Sequence, residues 1–87
     1  MNIEVRKPTE SEIAEAKNWP IWSKEISLFD WEYNEPETCL IIEGQAEVAD
    51  KAGNLVKFGI GDLVVFPAGL KCIWKIISPI KKHYKFG

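Results

Sequence analysis

The chain has few of the residues on which disulfide scaffolds and histidine metal sites depend. It contains one histidine and two cysteines among 87 residues, and Cys39 and Cys72 lie far apart and form no CxxC pair. A disulfide scaffold is therefore not expected. We predict that both cysteines are reduced thiols, and His83 has no second histidine with which to share a metal.

The sequence also lacks an excess of basic charge and a long apolar segment. Eleven Lys and Arg against thirteen Asp and Glu give a formal net charge of −2. We therefore expect neither nucleic acid nor a membrane as a partner. The apolar run Leu63 to Phe66 ends at Pro67, well short of the roughly 20 residues that cross a bilayer. Charges between Met1 and Lys7 do not suit an export signal, so we expect a cytoplasmic protein.

Aromatic residues are plentiful, with four tryptophans and four phenylalanines. A chain this short buries only roughly 60–65% of its unfolded surface, so its core must be well packed. We predict one structural domain, in which residues 1–18 form an N-terminal strand and a short covering helix. Residues 19–87 then form a β-barrel.

Local patterns predict one helix and many strands. Thr9 suits the cap of a short helix in which Glu12 reaches back to the cap. Elsewhere, apolar and polar residues alternate and turn residues punctuate the chain, which indicates short strands. Their even spacing is typical of an all-β sandwich or barrel. The predicted strands cover residues 2–6, 29–33, 38–42, 45–49, 55–58, 62–66, 72–77 and 83–86.

Two glycine-bounded segments carry a resemblance to a known family. Six residues separate Glu37 from Gly44, and five separate Gly61 from Pro67, which Cys72 follows. This spacing resembles the two motifs of the cupin superfamily, and the chain is similar to small single-domain cupins of the cupin-3 type. That group includes cupin domains of ureidoglycine aminohydrolases and ethanolamine-utilisation proteins. The resemblance implies a jelly-roll cupin β-barrel, a double-stranded β-helix, with one short N-terminal helix.

The sequence departs from the family where metal-binding cupins have three histidines and a glutamate. Here the corresponding residues are Trp31, Tyr33, Glu37 and Cys72. An indole is not a metal ligand, so we predict a degenerate metal site and no cofactor. The alternative is a divalent ion held by Tyr33, Glu37 and Cys72, with Cys39 as a fourth ligand if it faces inward.

Glu37 is expected to face the barrel interior, because it shares strand parity with Cys39 and Ile41. A carboxylate buried alone would cost several kcal/mol, so it needs a hydrogen-bonding or charged partner. Tyr33, the indole N–H of Trp74 or a lysine would supply one.

Three functions fit these residues. The first is a site in the barrel mouth for a small polar molecule of the sugar, amine or ureide class. The second is a metal-independent or atypical-metal enzyme in which Glu37 is the general acid or base. Tyr33 would donate a hydrogen bond, and Cys72 is a further catalytic candidate. The third is a structural or interaction domain with a packed barrel. The predicted pocket comprises Trp31, Tyr33, Glu37, Cys39, Cys72 and Trp74.

The other features are expected to be structural. His83 lies in a basic stretch, residues 81–85, which we interpret as a solvated final strand that resists aggregation. The aromatic segment from Trp19 to Trp22 either covers a barrel end or forms a self-association surface. The sequence allows a monomer or a homodimer.

Overall fold

The computed structural model describes residues 2–87 and consists of seven strands in one sheet, with one helix beside it. This confirms the expected all-β class with a short N-terminal helix. Within the described chain, no helix has the length and apolar character needed to cross a membrane. The elements are β1 Glu4–Arg6, α1 Glu10–Ala16, β2 Ile21–Lys24, β3 Ser27–Glu32, β4 Glu37–Asp50, β5 Leu55–Gly59, β6 Leu63–Phe66 and β7 Lys71–Phe86.

The two long strands, β4 and β7, form the frame of the barrel. They pair antiparallel along their length, from Glu37 opposite Phe86 to Asp50 opposite Cys72. The first half of β4 also pairs with β6, and its second half pairs with β5. The first half of β7 pairs with β3, and its second half with β2. Both long strands therefore run through two layers, with the core between them.

The bend in β4 lies at Gly44, which has a φ of +83°. A Cβ atom at this position would overlap the Pro79 carbonyl oxygen, so the close approach of β4 and β7 requires glycine. The strand register also shifts in this segment. As a result, the buried interior positions of β4 change from odd numbers up to Ile41 to even numbers from Ala46 onward.

β7 is one continuous strand, so the predicted break between residues 77 and 83 is wrong. Pro79 lacks an N–H group, but it lies opposite the irregular segment of β4, where regular ladder bonding is already interrupted. The expected solvated final strand is also wrong: this part of β7 lies between β4 and β2. His83 is accordingly half-buried within the sheet, and Lys82 is only 5% exposed.

Helix α1 begins where the capping pattern predicts. The Glu12 backbone N–H donates to Thr9 Oγ1 at 3.2 Å, and the Thr9 N–H donates to Glu12 Oε1 at 2.8 Å. These reciprocal bonds satisfy two N–H groups at the start of the helix. Ala16, at the other end, is buried with Leu40 and Leu63 in a second small core. The helix therefore covers the outer face of β4 and β6.

Four aromatic side chains pack together in the barrel interior, beside smaller aliphatic residues. Tyr33 stacks on Phe66 with ring centroids 4.7 Å apart, and Trp74 lies 5.5 Å from Phe66 and 5.4 Å from Phe58. All four rings are buried. Tyr33 and Trp74 form the boundary between this packed interior and a pocket at the barrel mouth.

Candidate functional site

A pocket of about 240 Å³ lies between the two layers, near the start of β4 and the end of β7. Its residues come from β2, β3, β4, β7 and the turn after β3. The volume falls slightly below the roughly 300–1,000 Å³ of typical ligand pockets, which suits a small molecule. Nine side chains of the described residues line the pocket. Seven of them are aromatic, namely Trp22, Phe29, Trp31, Tyr33, Trp74, Tyr84 and Phe86, and the other two are Glu37 and Lys82.

The pocket has an exposed aromatic rim and a buried, partly polar base. Trp31 is 48% exposed and Phe86 is 46% exposed, so both rings present a face or edge to solvent. The residues at the base are almost completely buried. They are Tyr33, Glu37, Trp74 and Lys82. A ligand entering the pocket would pass aromatic side chains before it reached the charged groups.

Glu37 and Lys82 form an ion pair at this base. Lys82 Nζ lies 3.1 Å from each of the two carboxylate oxygens. Glu37 is the first residue of β4, and Lys82 faces inward because it shares strand parity with Ile80 on β7. A lysine is one of the three partners that the sequence allows for Glu37, and the structure identifies it as Lys82.

Two indole rings flank the same ammonium group. Lys82 Nζ is 4.9 Å from the ring centroid of Trp22 and 4.8 Å from that of Trp74, with Phe66 farther away at 6.0 Å. These distances permit cation–π attraction, which is stronger in a site that excludes water. The ammonium is therefore held by one carboxylate and by aromatic faces.

Tyr33 and Trp74 are joined by a hydrogen bond. The indole Nε1–H of Trp74 donates to the Tyr33 hydroxyl oxygen at 3.2 Å. Burial, reinforced by the nearby charge of Glu37, raises the pKa of Tyr33 well above its ordinary value. The phenol therefore keeps its proton, and the hydroxyl group can act as a hydrogen-bond donor at the base of the pocket.

The two cysteines lie in the core and do not line the pocket. Cys39 has no exposed surface, and the Cys72 thiol lies 3.6 Å from the Trp31 carbonyl oxygen, to which it donates. Burial raises the pKa of Cys39 to about 12 and that of Cys72 to about 11. Since the thiolate is the nucleophile and the metal ligand, neither cysteine is activated for such a role.

The structure thus brings together four of the six predicted pocket residues, Trp31, Tyr33, Glu37 and Trp74. Sequence reasoning missed five others. The alternation that places Trp74 inward continues to Lys82 along β7, but this signal is visible only when the strand is traced through Pro79. The residues that were missed are Trp22, Phe29, Lys82, Tyr84 and Phe86.

The groups at the base do not fit a divalent metal ion. Among residues 2–87, no three His, Cys, Asp or Glu side chains are grouped so that they would hold one. Both carboxylate oxygens of Glu37 already contact the Lys82 ammonium. A metal ion bound there would have to displace a cation that is covalently part of the chain, and Cys39 and Cys72 would first have to lose strongly held protons.

Comparisons with known proteins agree with this fold. Residues 12–84 match the family model described as the EutQ-like cupin domain. A DUF861 family protein from Thermotoga maritima is 44% identical, with 99% of this chain and 100% of that chain covered and a TM-score of 0.95. A comparison with curated proteins finds no match.

More distant solved structures share the fold alone. The EutQ protein from Clostridium difficile is 23% identical with a TM-score of 0.70, and covers 76% of this chain and 52% of that one. An ethanolamine utilization protein Q from Salmonella typhimurium is 15% identical with a TM-score of 0.66, with 97% of this chain and 68% of that one covered. The present chain therefore spans only part of the length of these two proteins.

Proposed function

The chain belongs to the family of EutQ-like cupin domains, and on that basis we propose that it binds a small polar molecule at the barrel mouth. The observation that carries this proposal is the buried Glu37–Lys82 pair at the base of an aromatic pocket that opens to solvent. Well-packed apolar residues often stabilise a core as well as a buried ion pair does, or better. Recognition of a ligand gives a reason for the pair at this place.

The pocket offers complementary contacts to a molecule with one apolar or flat face and several polar groups. The rings of Trp31 and Phe86 would pack against the apolar face at the rim. At the base, the Glu37 carboxylate would accept hydrogen bonds, and the Tyr33 hydroxyl would donate one. Sugars and ureides have this combination of groups, and amines share part of it.

A metal-independent enzyme is the second candidate, and the direct contact between Glu37 and Lys82 favours it. Lys82 Nζ holds the Glu37 carboxylate in place from 3.1 Å away, and the surrounding rings limit access of water. Glu37 would then be the general acid or base. The variant Glu37→Asp distinguishes binding from catalysis. It would retain part of the ligand binding, but its shorter side chain would misplace the carboxylate for proton transfer.

The binding proposal is tested by a thermal-shift screen of neutral sugars, ureides and small amines. Wild-type protein is compared with Glu37→Gln and with Glu43→Gln, a matched change on the same strand at an exposed surface ion pair with Lys81. We expect at least one compound to raise the Tm of the wild type and of Glu43→Gln, but not that of folded Glu37→Gln. The proposal is wrong if no compound acts, or if all three proteins respond equally.

A further inference from the structure

Lys82 places an ammonium group inside the pocket, in contact with both carboxylate oxygens of Glu37. We propose that Lys82 is the resident cation of this site, held by Glu37, Trp22 and Trp74, and that it restricts the ligand to uncharged polar molecules. The restriction on the ligand rests on the proposed binding function. The role of Lys82 as resident cation rests on geometry alone.

The surroundings of Lys82 Nζ are those of a bound ammonium ligand. One carboxylate contacts it with both oxygens at 3.1 Å, and two indole rings lie at 4.9 and 4.8 Å. Proteins that recognise free ammonium compounds combine aromatic faces in this way. Here the bound ammonium group belongs to the protein's own Lys82, and only 5% of this residue is exposed.

The resident cation makes the base of the pocket neutral overall. Among residues 2–87, Glu37 and Lys82 are the only charged residues that line it, and their formal charges cancel. A cationic ligand would have to displace Lys82 from Glu37 or bind beside a second ammonium. Lys24, whose Nζ lies 5.2 Å from the ring centroid of the lining residue Phe29, adds a further positive charge nearby. An amine is therefore disfavoured.

An anionic ligand meets the opposite difficulty, since it would have to compete with Glu37 for the same ammonium. An uncharged molecule avoids both conflicts. Its hydroxyl or urea groups can donate to Glu37 and accept from Lys82 while the ion pair stays intact. Of the three ligand classes that suit the pocket, this argument retains sugars and ureides and excludes amines.

The role of Lys82 is tested by replacing its side chain with a free molecule of the same shape. Lys82→Ala removes three methylene groups and the ammonium, which together correspond to propylammonium. We expect propylammonium to raise the Tm of Lys82→Ala by about 5 °C at saturation, with no such effect on the wild type. Lys81→Ala, altered at the neighbouring surface lysine, serves as the matched control and should not respond.

Two comparisons separate a cation site from a simple cavity. The uncharged analogue 1-propanol should have little effect on Lys82→Ala, and the double variant Glu37→Gln with Lys82→Ala should lose the response to propylammonium. An equal response to 1-propanol, or no response to propylammonium, would overturn the assignment. If Lys82→Ala does not fold, nitrogen-15 NMR of the wild-type lysine side chains measures how fast the ammonium protons exchange with solvent. Slow exchange at Lys82 supports the role, and fast exchange contradicts it.

The restriction to uncharged ligands is tested on the wild type with matched probes. Glucose is compared with glucosamine, and methylurea with methylammonium, by thermal shift and NMR. We expect the neutral member of a pair to bind at least tenfold more tightly. Equal or tighter binding of the charged member would overturn the restriction. Absence of binding by every probe in the wider screen, amines included, contradicts the proposed function. Failed rescue of Lys82→Ala contradicts only the resident cation.

Discussion

Lys82 Nζ is equidistant from the two carboxylate oxygens of Glu37, at 3.1 Å from each, and both residues are buried. The two residues are 45 positions apart in the sequence, and the antiparallel pairing of β4 with β7 brings them together. The pair forms the polar base of an otherwise aromatic pocket. Its effects on stability and on ligand binding can be separated by mutation.

Breaking one member of this pair should destabilise the fold strongly. We expect Lys82→Met to lower the free energy of unfolding by about 3–5 kcal/mol, because it leaves the Glu37 carboxylate buried without its counter-charge. The double variant Glu37→Leu with Lys82→Met should recover most of that loss while remaining unable to bind the ligand. Urea unfolding measures the stability of the single and the double variant. A double variant less stable than the single one would show that the pair itself stabilises the fold.

The two thiols should be protected from alkylation in the folded protein. The pKa of Cys72 is raised from 9.0 to about 11, so at neutral pH the thiolate fraction falls by about 100-fold. The pKa of Cys39 is raised further, to about 12. We expect iodoacetamide to modify neither cysteine appreciably at pH 7.5 until urea unfolds the chain, as followed by intact mass. Modification of the native protein at the rate of a free thiol would contradict this prediction.

Stability should fall in acid partly through Glu12. Hydrogen bonds, chiefly from Arg6 and then from the Thr9 backbone N–H, lower the pKa of Glu12 from 4.5 to about 2. A lowered folded-state pKa stabilises the protein above about pH 4.5, and this contribution is lost as the pH falls toward 2. Glu12→Gln should therefore show a smaller fall in Tm between these pH values than the wild type. Glu10→Gln, exposed in the same helical turn, is the control and should behave like the wild type.

The bend in β4 should tolerate no side chain. Gly44→Ala combines a left-handed backbone with a Cβ atom that would overlap the Pro79 carbonyl oxygen. Gly53 has a similar φ of +90°, but a Cβ atom added there would have no heavy atom within 4 Å, so Gly53→Ala isolates the backbone effect. We expect Gly53→Ala to cost about 1–2 kcal/mol and Gly44→Ala clearly more. Equal losses in urea unfolding would show that β4 and β7 can separate at the bend.

Much of the fold follows from local sequence signals. The Thr9 cap and the strand parity that places Glu37 inside the barrel both depend on neighbouring residues, and the structure confirms both. The change of parity after Ile41 does not follow from such signals. It depends on a register shift between β4 and β7, which arises from pairing between distant segments.

The site is harder to predict for the same reason. Lys82 follows Pro79, which usually interrupts a strand, and it lies in a lysine-rich stretch, so local composition favours a solvated segment. Only the position of β7 between β4 and β2 makes Lys82 a buried residue. Trp22 joins the pocket through pairing of β2 with the end of β7, which local sequence also does not specify.

The most direct test of the binding site uses the four tryptophan indole N–H signals in a proton–nitrogen-15 NMR titration. Trp22, Trp31 and Trp74 line the pocket, whereas Trp19 packs beside the small core under α1 and is an internal control. A neutral compound that raises the Tm should shift the three pocket signals along one saturable curve and leave Trp19 unchanged. Shifts at Trp19 alone, or no shift at the three pocket signals, would contradict a ligand site at the barrel mouth.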